Sequence, residues 1–441
     1  MFTELPGIRG NPVLSFGKIR GSVARTGNLA FPNLTENHYT HSRTTDGWTT
    51  GVSFPWMGTI GYVISQTLVN QYLVNETMTS FELGTDLRFL LNRFGVDFSY
   101  FRNKSTDLLM PVPITYSLGY TSIIMNAGDM QTEGYELILS ARIMTGRFNW
   151  DVLVNWTKMT NSVTALEENV EYIPLGGFTR PQSRAVAEIE YGTIYGFDWY
   201  RDENAESPTF GQVLINDDPE DAYTDGYPMT DMRQMVPIGS VNPDWTAGIT
   251  NTFGWNAVRL SFLLDIRRGG WMYNGTAYAM NYIGIHKRTE NREVYYLADG
   301  SIDFNRTPAK NIVVFNGVMG SMNNDGTPSF SGLKNVIPVV LDQNWFQGEG
   351  SSYGGGPSEA AMEQTDWVRL RELTISYDIP VGSGIISAAR VYFTGRNLWL
   401  KTPYSGIDPE TSLQGTLNIP GMDYFNMPGT KTYTLGVKLS F

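Results

Sequence analysis

From Thr432 to Phe441 the chain alternates with a strict period of two. Tyr433, Leu435, Val437, Leu439 and Phe441 share one face, and Thr432, Thr434, Gly436, Lys438 and Ser440 share the other. Successive side chains of a β-strand point to opposite faces, so this segment predicts a strand with apolar surroundings on one side and polar ones on the other. The pattern returns in pairs. Tyr135, Leu137, Leu139, Ala141 and Ile143 alternate with Gly134, Glu136, Ile138, Ser140 and Arg142. After the hairpin-sized link Thr145-Gly146-Arg147, Phe148, Trp150, Val152, Val154 and Trp156 alternate with Asn149, Asp151, Leu153, Asn155 and Thr157.

Upstream, Phe81, Leu83, Leu87 and Phe89 are joined through Leu91-Asn92-Arg93 to Phe94, Val96, Phe98 and Tyr100. Downstream, Trp245, Ala247, Ile249 and Phe253 lead through Gly254-Trp255-Asn256 into Val258, Leu260, Phe262, Leu264 and Ile266. A last hairpin joins Leu373, Ile375 and Tyr377 to Val391 and Phe393, its turn starting at Ile379-Pro380-Val381-Gly382. Leu14 to Arg25 reads as a strand with less regular alternation. Ten strands are expected, near 13–26, 80–91, 93–107, 132–145, 147–161, 244–254, 256–271, 366–378, 387–399 and 431–441. Short turns alternate with long segments near 27–79, 108–131, 162–243, 272–365 and 400–430. Compact soluble domains rarely carry structureless loops beyond about 15 residues. Short turns at one end and long loops at the other are the plan of an outer-membrane β-barrel, which sets its apolar face to lipid and its polar face to the lumen.

Charges on the polar faces (Glu82, Asp86, Arg88, Asp97, Arg142, Arg259, Asp265 and Arg267) suit a hydrated or plugged lumen; in a soluble sandwich they would meet bulk water. With 13% aromatic residues, including 24 Tyr and 11 Trp, the chain has the stock for interfacial girdles. A net charge of −12 argues against general nucleic-acid binding. The absence of cysteine excludes disulfide scaffolds and thiolate metal sites, and three histidines (His38, His41 and His286) leave little for a His-based metal or triad site. No window approaches 18 consecutive apolar residues, the length of a membrane helix, a measure that alternating strands escape. The opening MFTELPGIRG lacks a signal peptide's basic start and apolar run, so the beginning of such a protein is expected upstream.

Several phrases resemble the TonB-dependent outer-membrane transporters of the SusC/RagA type found in Bacteroidetes. They are LSFGKIRGSVARTGN (14–28), GDMQTEGYELILSARI (128–143), GTIYGFDW (192–199) with the acidic stretch 217–231, VNPDWTAGITNTFGWN (241–256), DWVRLRELTISYDIP (366–380) and GRNLWLKTPYSGIDPE (395–410). The matches run in the family's order over essentially the whole chain. The resemblance implies an all-β, antiparallel transmembrane meander in which residues 1–441 are the C-terminal portion, about ten strands, of a twenty-two-stranded barrel. The plug domain and the N-terminal strands would lie outside this chain. Ten strands of so large a barrel would form an open arc whose unpaired edges need the remaining strands. The implied function is active import of a glycan or peptide across the outer membrane of a Gram-negative, Bacteroidetes-like cell. Implied partners are outer-membrane lipid, a SusD-like surface lipoprotein, TonB acting through the plug, and an oligosaccharide or peptide substrate. A passive porin or adhesin barrel and a soluble carbohydrate-binding sandwich are the alternatives.

No catalytic residue, no metal ligand and no cofactor is expected, and the substrate-binding residues are unknown at this level. Carboxylate pairs for glycoside hydrolysis have no fixed separation in the pattern. The loop 200–231 carries Asp202, Glu203, Glu206, Asp217, Asp218, Glu220, Asp221, Asp225 and Asp231. Its segment NDDPEDAYTDG lacks the ligand spacing of an EF-hand, and a solvated acidic loop is expected in place of a Ca²⁺ site. GSSYGGG (350–356) follows no strand of a βαβ unit and has no phosphate-binding Lys, so it reads as a flexible surface loop. Trp48, Trp56, Tyr195, Trp199, Tyr200, Trp271, Tyr273, Trp345 and Tyr353 on the long loops either meet a sugar or partner or form the loops' own cores.

Overall fold

A computed structural model describes the chain apart from residues 5–9, 31, 33, 45–51, 221–223, 291, 352–354, 382–384, 414 and 416–419. All ten expected strands form: β1 Leu14–Asn28, β2 Glu76–Phe89, β3 Phe94–Pro113, β4 Ser122–Met144, β5 Phe148–Leu166, β6 Trp245–Trp255, β7 Val258–Arg268, β8 Trp367–Ile379, β9 Ala388–Lys401 and β10 Thr432–Ser440. They hydrogen-bond in sequence order, each to its chain neighbours, and an eleventh short strand, Thr67–Leu68, pairs in parallel with the start of β4. Short links follow β2, β4 and β6, as the spacing requires. The 108–131 segment is shorter as a loop than expected. Its apolar ends (Leu108 to Val112, Ile123 to Met125) continue the β3–β4 ladder past a bulge at Asp107, whose φ is 60°.

The chain divides into two compact units. The first comprises Met1–Pro174, Arg184–Tyr191 and Trp245–Ser261. On its apolar face, large apolar residues stand opposite one another at several positions of the ladder: Leu83 and Tyr100, Phe98 and Leu137, Val154 and Ile249. Tyr100 and Tyr135 stand opposite with ring centroids 5.3 Å apart, flanked by Phe81 at 6.4 Å from Tyr100 and Phe98 at 6.2 Å from Tyr135. In the next row Arg102 faces Glu133, so an aromatic row gives way at once to a charged one. That sequence of rows is the profile of a membrane interface. One polar side chain breaks the apolar face of β6. Asn251, opposite Val152, accepts a hydrogen bond from the Trp150 indole N–H at 3.1 Å. The neighbouring aromatic thus satisfies the amide oxygen.

The second unit comprises Leu175–Ser183, Gly192–Asp244 and Phe262–Phe441. In its β9–β10 pair, Phe393 and Tyr433 stack at 6.2 Å on the apolar face, beside Leu435, Val437 and Leu439. On the polar face Tyr392 lies over Gly436, where a Cβ would come within 2.3 Å of the ring, so the missing side chain makes room for the aromatic. The connecting segments are not structureless. Thr193–Trp199 pairs with Thr230–Gly239, Leu214–Asn216 runs parallel to Val318–Met322, and Trp271–Asn274 lies between Met362–Gln364 and Met422–Asp423. Helices α1 (Gly275–Ile283) and α2 (Gln343–Gln347) are capped by Asn274 and Asp342. Ile194, Val241, Tyr273, Tyr278, Met362 and Met422 form a buried core within these segments. Connections this long must satisfy their backbone groups, and small ladders over an apolar core do so.

Candidate functional site

The polar faces carry paired charges. In the first unit the Arg20 guanidinium grips Asp97 with both terminal nitrogens (2.7 and 3.3 Å) and reaches Glu82 at 3.5 Å. It lies across Gly84, where a Cβ would come within 2.7 Å of its Nε. In the second unit the two sequence phrases 366–380 and 395–410 interlock. Arg369 holds Asp408 at 2.6 and 3.1 Å, and Arg371 holds Glu410 at 2.7 and 2.9 Å while also meeting Asp265. Trp367 lies between the guanidinium groups of Arg267 and Arg369, at 5.1 and 5.7 Å from its ring. Planar guanidinium groups suit both the fork to a carboxylate and the stack on an indole. Of the charges singled out in the sequence, Glu82, Asp97, Asp265 and Arg267 therefore take part in these clusters.

The acidic loop is only partly solvated. Leu214 and Ile215 are fully buried, and several carboxylates are consumed by local turns. Asp202 accepts from the Thr209 hydroxyl at 2.6 Å and the Asn204 N–H at 3.1 Å; the Ser207 hydroxyl first, then Thr209 and the Asn204 N–H, hold its carboxyl below the usual range. Asp231 pairs with Arg233 at 2.6 Å, and Asp218 accepts the Glu220 N–H. Among the described residues no three acidic or histidine side chains converge as metal ligands. Asp221 lies outside the described residues.

The glycine-rich stretch differs from the expected surface loop at its described positions: Ser351 and Gly356 are buried, and Gly350 lies against the Trp345 indole, 2.4 Å from where its Cβ would be. Residues 352–354, including Tyr353, lie outside the description. The loop aromatics divide. Tyr195, Tyr200 and Tyr273 are buried in loop cores, whereas Trp56 and Trp271 are exposed. Trp48 is not among the described residues. Trp199 and Trp345 stack at 6.4 Å with planes 9° apart, and Trp345 also meets Phe315 at 4.6 Å and Tyr227 at 5.2 Å.

Beside this aromatic group lies a cavity of ≈ 280 Å³ lined by Thr224, Tyr227, Gln343, Asn344, Gln347 and Glu349. The Asp342 cap fixes the start of α2, which presents the amides of Gln343 and Gln347 joined at 2.9 Å. Burial raises the Glu349 carboxyl above the usual range, opposed by the Thr230 hydroxyl that donates to it at 2.5 Å. Sequence reasoning singled out Trp345 but missed Tyr227, Gln343, Asn344 and Glu349, since amides and a lone Glu in a long loop carry no periodic signal.

A second cluster sits at the end of Thr193–Trp199. Arg201 donates to both oxygens of Glu359, at 2.7 and 3.0 Å, and lies 3.5 Å from Asp198. Burial, with Glu359 alongside, pushes Asp198 up to about 7. Burial acts to raise Glu359 too, but Asp198 and Arg201 outweigh it and hold that carboxyl low.

Comparison with known proteins decides the family. The family model described as TonB dependent receptor-like, beta-barrel matches residues 11–398. The chain belongs to that family. TonB-dependent receptor P3 of Formosa agariphila is 24% identical over 398 residues, covering 86% of this chain and 35% of the relative. TonB-dependent receptor SusC of Bacteroides thetaiotaomicron is 24% identical over 393 residues, covering 84% of this chain and 32% of the relative. The chain thus spans about a third of the length of the curated relatives it matches. Among solved structures, the RagAB peptide transporter matches at TM-score 0.64 and 22% identity, over 99% of this chain and 42% of that one. The RagAB peptide importer in its closed-closed state matches at TM-score 0.65 over the same shares. The ten-strand meander is therefore a TonB-dependent barrel fold, as the sequence phrases implied.

Proposed function

We propose that this chain is the C-terminal part of the wall of a TonB-dependent transporter that imports a glycan or a peptide across the outer membrane of a Bacteroidetes-like cell. The apolar faces would meet lipid, the charged faces would line the lumen, and the long connections would form the extracellular loops. The remaining strands of a twenty-two-stranded barrel and the plug that engages TonB would complete it, with a SusD-like surface lipoprotein delivering substrate at the loops. The observation that carries the reading is the uninterrupted meander of ten strands with an aromatic row bordering a charged one, in a chain matched by the family model over 388 residues. No chemistry on the substrate is assigned to it; the chain's work is passage and recognition.

The test is uptake. A strain lacking the complete gene is grown on single glycans and on peptide pools as sole carbon source, with and without a protonophore. Growth on one substrate class should be lost and be restored by the wild-type gene, and uptake should collapse with the protonophore. Uptake that persists without a proton gradient would instead mark a passive porin.

A further inference from the structure

We propose that the loop-side border of the apolar face on β1–β5 is a docking site for the phosphorylated glycolipid of the outer leaflet; the proposal takes the barrel and its orientation from the reading above. Three rows of facing residues make the site. Arg25, Thr79, Lys104, Gln131 and Ser162 form the outermost row. Phe81, Arg102, Glu133 and Thr160 form the next, and in the third Lys158 stands opposite Tyr135, beside Tyr100 and Leu83. These rows hold four cations and one acid in a chain whose net charge is −12. At the short-turn end of the same face stand Leu87, Phe89, Phe94 and Phe148. The cations therefore mark one border, the end from which the long connections leave.

The cations are free to meet an anion. All four are exposed. Among the described residues Arg25, Lys104 and Lys158 make no hydrogen bond or ion pair, and Arg102 spends one nitrogen on the Gln131 amide oxygen at 2.6 Å. Like charges held along one border repel, and an anion between them turns repulsion into attraction. Arg25 and Lys104 lie two strands apart on one row, about 10 Å from each other. Guanidinium and ammonium groups are the side chains that recognise phosphate.

The ground between and below the cations selects the kind of lipid. Thr79, Gln131 and Thr160 offer hydroxyls and an amide, which match the donor and acceptor roles of sugar hydroxyls. Below them Leu83, Tyr100, Phe98 and Leu137 form an apolar slope on which acyl chains can lie. A free phosphate would leave that slope unused. A glycerophospholipid would leave the polar side chains between the cations unused. A phosphorylated sugar carrying acyl chains uses all three.

The experiment uses the complete transporter, delipidated in a non-ionic detergent and titrated with three lipids: bisphosphorylated lipid A, the same lipid A dephosphorylated, and phosphatidylglycerol. Native mass spectrometry reads the one-to-one adducts. Lipid A should bind, and removal of its phosphates should weaken it at least tenfold. The triple variant Arg25→Gln, Lys104→Gln and Lys158→Gln should lose as much. It breaks no internal hydrogen bond, and heat-modifiable mobility verifies that it is folded. A control with the same change of charge, Lys287→Gln, Lys310→Gln and Lys334→Gln, should bind lipid A as the wild type does. The proposal is overturned if dephosphorylated lipid A binds as tightly, if the first triple variant binds as the wild type does, or if phosphatidylglycerol binds equally well. Protonophore-sensitive uptake without a lipid A adduct would remove the docking site and keep the import reading. A phosphate-dependent adduct on a protein whose uptake ignores the protonophore would keep the site and remove active import.

Discussion

Arg369 and Asp408, 39 residues apart in sequence, meet in a two-pronged ion pair at 2.6 and 3.1 Å with side chains only 4% and 10% exposed. Asp408 belongs to the connection after β9, and Arg369 to β8, so the pair pins a long loop to the polar face of the sheet. Breaking a buried pair by removing one partner leaves a charge without compensation, which costs about 3–5 kcal/mol. Asp408→Asn should lose stability on that scale in chemical unfolding of the folded transporter. Arg20→Met should cost much less, roughly 0–1 kcal/mol, because Arg20 and Asp97 are each about a third exposed. Similar losses for both would show that exposure does not govern these clusters.

The apolar face of β5 is set against lipid in the proposed function. Val152→Arg near mid-strand should destabilise the assembled barrel by about 2–4 kcal/mol. Asn155→Ala, on the opposite face, should cost far less. Folding titrations into lipid vesicles read both, and equal costs would reverse the assignment of the faces.

Asn251 gives a finer test of the same face. Trp150→Phe keeps an aromatic ring but removes the indole N–H that satisfies the Asn251 amide. An unsatisfied buried polar group costs about 1–3 kcal/mol. The double variant Trp150→Phe with Asn251→Leu should recover most of the loss in the same titration, and no recovery would assign the cost to packing alone.

The Asp198–Glu359–Arg201 cluster should make the Thr193–Trp199 strand sensitive to pH. Asp198 titrates near 7 in the folded loop, against about 3.9 unperturbed. Between those values the folded state binds more protons than the unfolded one, so this contribution to stability is present below about pH 4 and is lost as pH rises through about 7. Glu359, held low, acts in the opposite sense and loses its contribution as pH falls, so the two carboxyls titrate as a pair. Hydrogen exchange of the strand, corrected for the intrinsic rate, should speed up from pH 5 to pH 8 in the wild type. Asp198→Asn should flatten that rise, and an unchanged profile would exclude the carboxyl as its source.

The ten strands and their neighbour-to-neighbour order were legible in the sequence, because two-residue alternation and short turns are local properties of the chain. Phe148 to Trp156 shows its two faces without any tertiary contact, and Thr145-Gly146-Arg147 announces its hairpin. The family phrases were legible for the same reason. What the tertiary structure alone decided lies in the long connections and on the polar face. Nothing near Asp408 announces Arg369, and the buried core of Ile194, Tyr273 and Met422 joins segments separated by scores of residues with no shared period. The 350–356 stretch read as a flexible loop because glycine is permissive, yet Gly350 is small to let an indole approach. Tyr227, Asn344 and Glu349 line one cavity only because α2 and the 224–230 turn come together in space. Alternation is written along the chain; convergence of loops depends on contacts between residues distant in it.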